Sequence, residues 1–260
     1  MNRLDKLFQK KQKNTLAIYT TAGFPNIGDT RQVILELDQA GADIVEIGMP
    51  FSDPLADGST IQASSQKAIE NGMTLKLLFE QLNGIRKETE VPIVLMGYLN
   101  PVMVFGAEAF CKKCQEVGVD GLILPDLPMW EFENIYRPIF EKYGLHTIFL
   151  VTPQTSDERI KILDAASKGF LYAVSVSTTT GKSGRFDDTQ EAYFKRLADL
   201  KLKNPVLVGF GIADSENFNI ANKYLNGGVV GSAFIRAMEK GESVNDFVKM
   251  IRGQDAPLPF

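Results

Sequence analysis

The sequence predicts an α/β protein: a single domain over residues 1–260, folded as a (β/α)8 TIM barrel with an extra N-terminal helix. Three observations predict it. Eight short apolar runs rich in Val, Ile and Leu recur along the chain, the pattern of strands buried on both faces of a parallel sheet. Amphipathic stretches alternate with them, and five of the six that end ahead of a strand stop at a signal containing Gly. The 260 residues match the ~250 typical of eight strand–helix units closed into a barrel. An open doubly wound sheet is the alternative. Its dinucleotide fingerprint, G-x-G-x-x-G, is missing from the first strand–helix turn, Ala22-Gly23-Phe24-Pro25-Asn26.

The elements follow in order. Residues 3–13 read as an amphipathic helix suited to cover the barrel bottom, with its lysines on a solvated face. Strand one is expected at 16–22, and a helix at 29–39 stops at Gly41. Strand two spans 43–49 and strand three 92–98. A helix at 107–117 ends at Gly118, ahead of strand four at 121–124. A helix at 129–143 ends at Gly144, ahead of strand five at 146–151. Ser156-Asp157-Glu158 supplies a cap oxygen and first-turn acids to a helix at 157–167, which ends at Gly169. Strand six is expected at 170–176. A helix at 188–202 runs up to Asn204 and Pro205, where strand seven begins (205–209). A helix at 214–225 stops at Asn226-Gly227, before strand eight (228–230) and a short helix at 233–238.

Composition narrows the function. Lys and Arg total 28 against 32 Asp and Glu, a net charge of -4, which argues against a general nucleic-acid binder. Two Cys and one His give at most three soft ligands, short of a structural zinc set. The first residues, MNRLDKLFQKKQKN, contain no apolar leader, and no run approaches the ~18 apolar residues of a membrane span. The expectation is a cytoplasmic, reduced protein with no metal and no membrane contact. Cys111-Lys112-Lys113-Cys114 matches C-x-x-C but falls inside a helix, where packing is the expected role; redox pairs favour helix N-termini. His146 has no evident partner and reads as structural.

Barrel chemistry sits at the C-terminal ends of the strands. Glu46 interrupts the apolar run of strand two, where a buried carboxylate is costly unless paired, neutralised or used. It reads either as a structural Glu paired to a lysine or hydroxyl, or as a general acid/base with a raised pKa. Asp57 lies eleven positions on, in a Pro/Asp/Gly loop. Alone it would read as a turn residue. With Glu46 it makes a carboxylate pair able to divide proton handling. Gly209-Phe210-Gly211 and Val230-Gly231-Ser232 close the last two strands, and glycines there let backbone N–H groups and a helix N-terminus meet a phosphate. Gly181-Lys182-Ser183 imitates the end of a Walker A motif, but the first glycine of that motif would fall at Val176, so the match fails. No predicted strand contains Lys, which argues against a Schiff-base aldolase. A carbon–carbon lyase of this composition needs a substrate with its own electron sink. An indole ring supplies one when it is protonated at the carbon bearing the side chain.

The run Val45-Glu46-Ile47-Gly48-Met49-Pro50-Phe51-Ser52-Asp53-Pro54-Leu55-Ala56-Asp57-Gly58 resembles the tryptophan synthase alpha subunit family. So do Tyr19-Thr20-Thr21-Ala22-Gly23-Phe24-Pro25, Gly97-Tyr98-Leu99-Asn100-Pro101, Leu124-Pro125-Asp126-Leu127-Pro128, Gly209-Phe210-Gly211-Ile212 and Val230-Gly231-Ser232-Ala233, in order along nearly the whole chain. The resemblance implies reversible cleavage of indole-3-glycerol phosphate to indole and glyceraldehyde 3-phosphate. Glu46 would be the general acid/base and Asp57 would stabilise the indole N–H. Tyr172 and Thr180 would frame the site; Tyr19, Leu99, Leu124 and Phe210 would border the indole; Gly181, Gly211, Gly231 and Ser232 would hold the phosphate. Family members dock on a beta subunit that contains PLP, in an expected alpha2beta2 assembly, so no cofactor is expected in this chain. Asp53, Pro54 and residues 100–105 would lie near that interface. The segment Val176-Ser177-Thr178-Thr179-Thr180-Gly181 departs from the Arg-x-Gly-Val-Thr-Gly pattern of many members. A stand-alone lyase, an indole-3-glycerol phosphate synthase, which would need a strand Lys, and a non-catalytic phosphometabolite-binding barrel are the other readings.

Overall fold

A computed structural model describes residues 1–54, 57–175 and 185–254. Its parallel strands are β1 (Thr15–Thr21), β2 (Ile44–Gly48), β3 (Ile93–Met96), β4 (Gly121–Ile123), β5 (His146–Thr147), β6 (Leu150–Val151), β7 (Leu171–Val174), β8 (Val206–Gly209) and β9 (Gly227–Val230). They pair in the order β5-β4-β3-β2-β1-β9-β8-β7-β6. β5 and β6 are two halves of the predicted fifth strand, separated by Ile148 and Phe149. The Ile148 N–H donates to the Leu122 carbonyl at 3.0 Å, and the Phe149 carbonyl accepts from the Tyr172 N–H at 3.0 Å. One run of chain thus joins both ends of the sheet and closes the ring. The (β/α)8 TIM barrel expected from the sequence is the fold observed.

Burial on both faces explains why the strands lack a polar alternation. In β1 and β2, Ala17, Tyr19 and Ile44 belong to the barrel interior, with Val94, Met96, Ile123, Phe170, Tyr172, Leu207 and Val229. Their neighbours Leu16, Ile18, Val45 and Ile47 pack outward in the layer shared with the helices. This period of two places Glu46 inside, between Ile44 and Gly48.

The bottom of the barrel is plugged. Helix Arg3–Lys10 is capped by the Asn2 side chain, which accepts from the Leu4 N–H. Leu4 and Phe8 enter the interior cluster, and the Phe8 ring lies 6.2 Å from that of Phe170. His146 Nε2 meets Asp5 Oδ1 at 2.8 Å, the structural role expected for this residue. The helix ends three residues before the predicted limit, and Lys11 is not simply solvated: it pairs with Asp43 at 2.6 Å.

Elsewhere the structure departs from sequence expectation for local reasons. The helix expected at 129–143 is broken into Met129–Glu131, a π-turn at Phe132–Tyr136 and Arg137–Lys142. Pro138 has no N–H for the Asn134 carbonyl and its ring crowds that turn. Helices Ser59–Glu70 and Leu75–Leu82 occupy the stretch between strands two and three, where no helix was singled out, and Val244–Ile251 is a further helix near the end of the described chain. Cys111 and Cys114 lie on helix Ala107–Val117 and are fully buried, as packing residues. Among the described residues no helix is long and apolar enough to cross a membrane.

Candidate active site

Glu46 stands on β2 opposite Tyr19 of β1 and Val94 of β3. It is 1% exposed, and neither carboxylate oxygen has a hydrogen-bond partner among the described residues. Among the described residues Glu46 thus lacks the lysine or hydroxyl partner of the structural reading. Burial, then the charge of Asp57, push its pKa from 4.5 up to about 8. An orphaned buried carboxylate of this kind is a mark of a working group.

Asp57 approaches from the loop after β2. Its N–H donates to the Pro54 carbonyl at 3.1 Å, and its own carbonyl accepts from Gln62 Nε2 at 2.9 Å. The carboxylate accepts a hydrogen bond from the Tyr98 hydroxyl at 3.1 Å. Burial raises the Asp57 pKa, and the Tyr98 hydrogen bond opposes that rise. A cavity at this mouth is lined by Tyr19, Met49, Phe51, Asp57, Met96 and Tyr98 among others.

Two glycines make room for two tyrosines. A Cβ at Gly48 would lie 1.9 Å from the Tyr19 hydroxyl, and one at Gly209 would lie 2.1 Å from that of Tyr172. Each ring folds over the neighbouring strand, into the same interior as Glu46. Burial first, and then the two carboxylates, raise the Tyr172 hydroxyl well above its usual range. The Phe210 ring meets Tyr172 edge-on at 6.3 Å. Gly211 follows at φ +82°, a left-handed backbone suited to glycine. Gly231 caps helix Ser232–Glu239, whose first N–H groups have no partners within the helix.

The structure thus brings Tyr19, Glu46, Asp57, Tyr172 and Phe210 to one end of the barrel, with Gly211, Gly231 and Ser232 at the ends of the last two strands. Leu124 packs in the layer between strands and helices, and Leu99 rests against that layer. Their neighbours Pro125 and Tyr98 line the cavity. Thr180 and Gly181 lie outside the described residues. Sequence reasoning did not single out Tyr98, Phe51 or Met96 as site residues. Their positions just beyond strand two and at the end of strand three were the available signal.

A closed barrel with a buried carboxylate that has no partner among the described residues, and a second carboxylate at its C-terminal mouth, has the layout of a barrel enzyme with its candidate acid/base groups at that mouth. Comparisons with known proteins make the class specific. The family model for "Tryptophan synthase alpha chain" matches residues 6–254. A tryptophan synthase alpha chain of Christiangramia forsetii is 54% identical over 254 residues, 97% of this chain and 99% of that protein. The crystal structure of the alpha chain from Legionella pneumophila superposes with a TM-score of 0.86 at 32% identity, covering 98% of this chain and 97% of that one. A chain in the aminoacrylate-bound tryptophan synthase of M. tuberculosis does so at 0.83 with 27% identity, covering 98% of each. The chain belongs to the tryptophan synthase alpha chain family, lyases that cleave indole-3-glycerol phosphate.

Proposed function

We propose that the barrel mouth cleaves indole-3-glycerol phosphate with Glu46 as proton carrier and Asp57 as electrostatic partner of the indole nitrogen. The carrying observation is the buried Glu46 carboxyl, which has no hydrogen-bond partner among the described residues and a pKa raised to about 8. At neutral pH it holds its proton, as a general acid must. Glu46 gives this proton to the ring carbon that bears the side chain, and the ring becomes an iminium. The bond from that carbon to the glycerol carbon then breaks, and its electron pair returns to the ring. The hydroxyl on the departing carbon becomes the aldehyde and its proton goes back to Glu46. Asp57 accepts a hydrogen bond from the ring N–H as that nitrogen gains positive charge. Protons and electrons balance, and the step requires no cofactor from this chain.

The aromatic lining of Tyr19, Phe51 and Tyr98 suits an indole. Gly211, Gly231 and Ser232 would take the phosphate through backbone N–H groups and the helix start, with Gly181 as a further donor and Thr180 steering Asp57. The partner would be a PLP-containing beta subunit in an alpha2beta2 complex in the cytoplasm. Met103 and Val104, within the 100–105 segment, are 56% and 81% exposed, large apolar side chains suited to burial by another chain. The test is indole release from indole-3-glycerol phosphate by the isolated chain, with and without a beta subunit. Slow release that a beta subunit strongly accelerates is expected. Full activity alone would sink the complex, and no indole in either case would sink the reaction.

A further inference from the structure

Two successive residues at the mouth hold left-handed backbone: Phe210 at φ +65° and Gly211 at φ +82°. For a bulky aromatic this is an outlier that the surroundings must maintain. Two buried polar side chains meet it there. Ser175 Oγ donates to the Phe210 carbonyl at 2.5 Å, and Asn217 Nδ2 donates to the Gly211 carbonyl at 2.9 Å. Ser175 is 2% exposed and Asn217 1%. The Asn217 amide is held in turn, because its Oδ1 accepts from the Phe186 N–H at 2.9 Å. Its backbone is fixed as well, with its N–H donating to Asp214 Oδ1 at 2.9 Å.

The peptides here are trans, so the C=O and N–H of each point in opposite directions. Fixing the carbonyls of Phe210 and Gly211 toward Ser175 and Asn217 turns the N–H groups of Gly211 and Ile212 the other way. Among the described residues neither of these N–H groups has an acceptor. Successive bare N–H groups of this kind form a concavity for an anion.

We propose that Ser175 and Asn217 are positioning residues, which hold the Phe210–Gly211 backbone so that the Gly211 and Ile212 N–H groups receive the substrate phosphate. The inference rests on the cleavage proposed above and deepens it. Neither side chain touches substrate; both act through backbone carbonyls. They differ in one useful respect. Asn217→Asp keeps the acceptor for Phe186 but sets an oxygen against the Gly211 carbonyl, whereas Ser175→Ala only removes a donor.

The experiment compares Asn217→Asp, Ser175→Ala and Ser175→Thr with the wild-type chain in complex with its beta subunit. Each is assayed on indole-3-glycerol phosphate and on its dephosphorylated form, and inorganic phosphate binding is measured by thermal shift. The expected result is a KM for the phosphorylated substrate raised about tenfold in the first two variants, the scale of one lost buried hydrogen bond. Their kcat and their handling of the dephosphorylated form should change less than about twofold, phosphate binding should weaken in parallel, and Ser175→Thr should restore it. Equal changes on both substrates, or no change in either variant, would overturn the proposal. Should Asn217→Asp fail to fold, Ser175→Ala decides. Should the wild type release no indole, the proposed reaction falls, and phosphate binding by wild type and variants still reads the positioning role.

Discussion

Replacing Glu46 by Gln removes a titrating group from the barrel interior and keeps its shape. The carboxyl is 1% exposed and has no hydrogen-bond partner among the described residues. Its pKa rises from 4.5 in an unstructured chain to about 8 in the fold. Below pH 4.5 the group is neutral in both states and adds no pH dependence to stability. Between 4.5 and about 8 the unfolded chain releases the proton and the folded one retains it. Stability therefore falls as pH rises through this window, by about 1.4 kcal/mol per pH unit, and levels off above it. Gln lacks this dependence. The Glu46→Gln chain should match the wild type near pH 4.5, exceed it by about 3 kcal/mol at pH 7, and by about 5 kcal/mol above pH 8. Urea midpoints of both proteins at pH 5, 7 and 8.5, with unchanged m-values, measure the difference. A gap that stays constant across these pH values would refute the reasoning, because it would mean that Glu46 titrates alike in the folded and unfolded chain.

Three other outcomes are expected. Tyr98→Phe removes the hydroxyl that donates to Asp57 at 3.1 Å, so the Asp57 pKa rises further and the acid limb of kcat/KM moves to higher pH; an unmoved limb would remove Tyr98 from the control of Asp57. Gly209→Ala sets a methyl group 2.1 Å from the Tyr172 hydroxyl, which must shift the ring, at about 1–3 kcal/mol in stability and with slower turnover; unchanged stability and turnover would contradict the packing. Burial pushes the Cys111 thiol up to about 12 and Cys114 well above its usual range, so the native protein should leave a thiol reagent unconsumed at pH 8 until unfolded; rapid native labelling would contradict the burial of helix Ala107–Val117.

Much of this was legible in the sequence because parallel barrel strands are apolar on both faces. Against that background one Glu in β2 is conspicuous, and the period of two alone puts it inside. The Gly stops were legible for a similar reason: Gly118, at φ +82°, takes the backbone that other residues avoid after a helix. What escaped was longer in range. The Tyr98–Asp57 hydrogen bond spans 41 residues and the Asn217–Gly211 bond joins a helix to the loop before it; neither leaves a periodic trace. The division of strand five into β5 and β6 reflects pairing on opposite sides with β4 and β7, which no single run of residues announces. The π-turn ahead of Pro138 was readable from that proline, which forbids the helix hydrogen bond four residues back.

The central claim is that Glu46 carries the proton that cleaves the carbon–carbon bond. Indole release from saturating indole-3-glycerol phosphate, by the wild type and by Glu46→Gln of verified fold, tests it most directly. The account predicts a fall in turnover of at least about 10²-fold, the low end for general acid–base catalysis, and a wild-type rate that declines above about pH 8 as the Glu46 proton is lost. Equal turnover by the two proteins would contradict it.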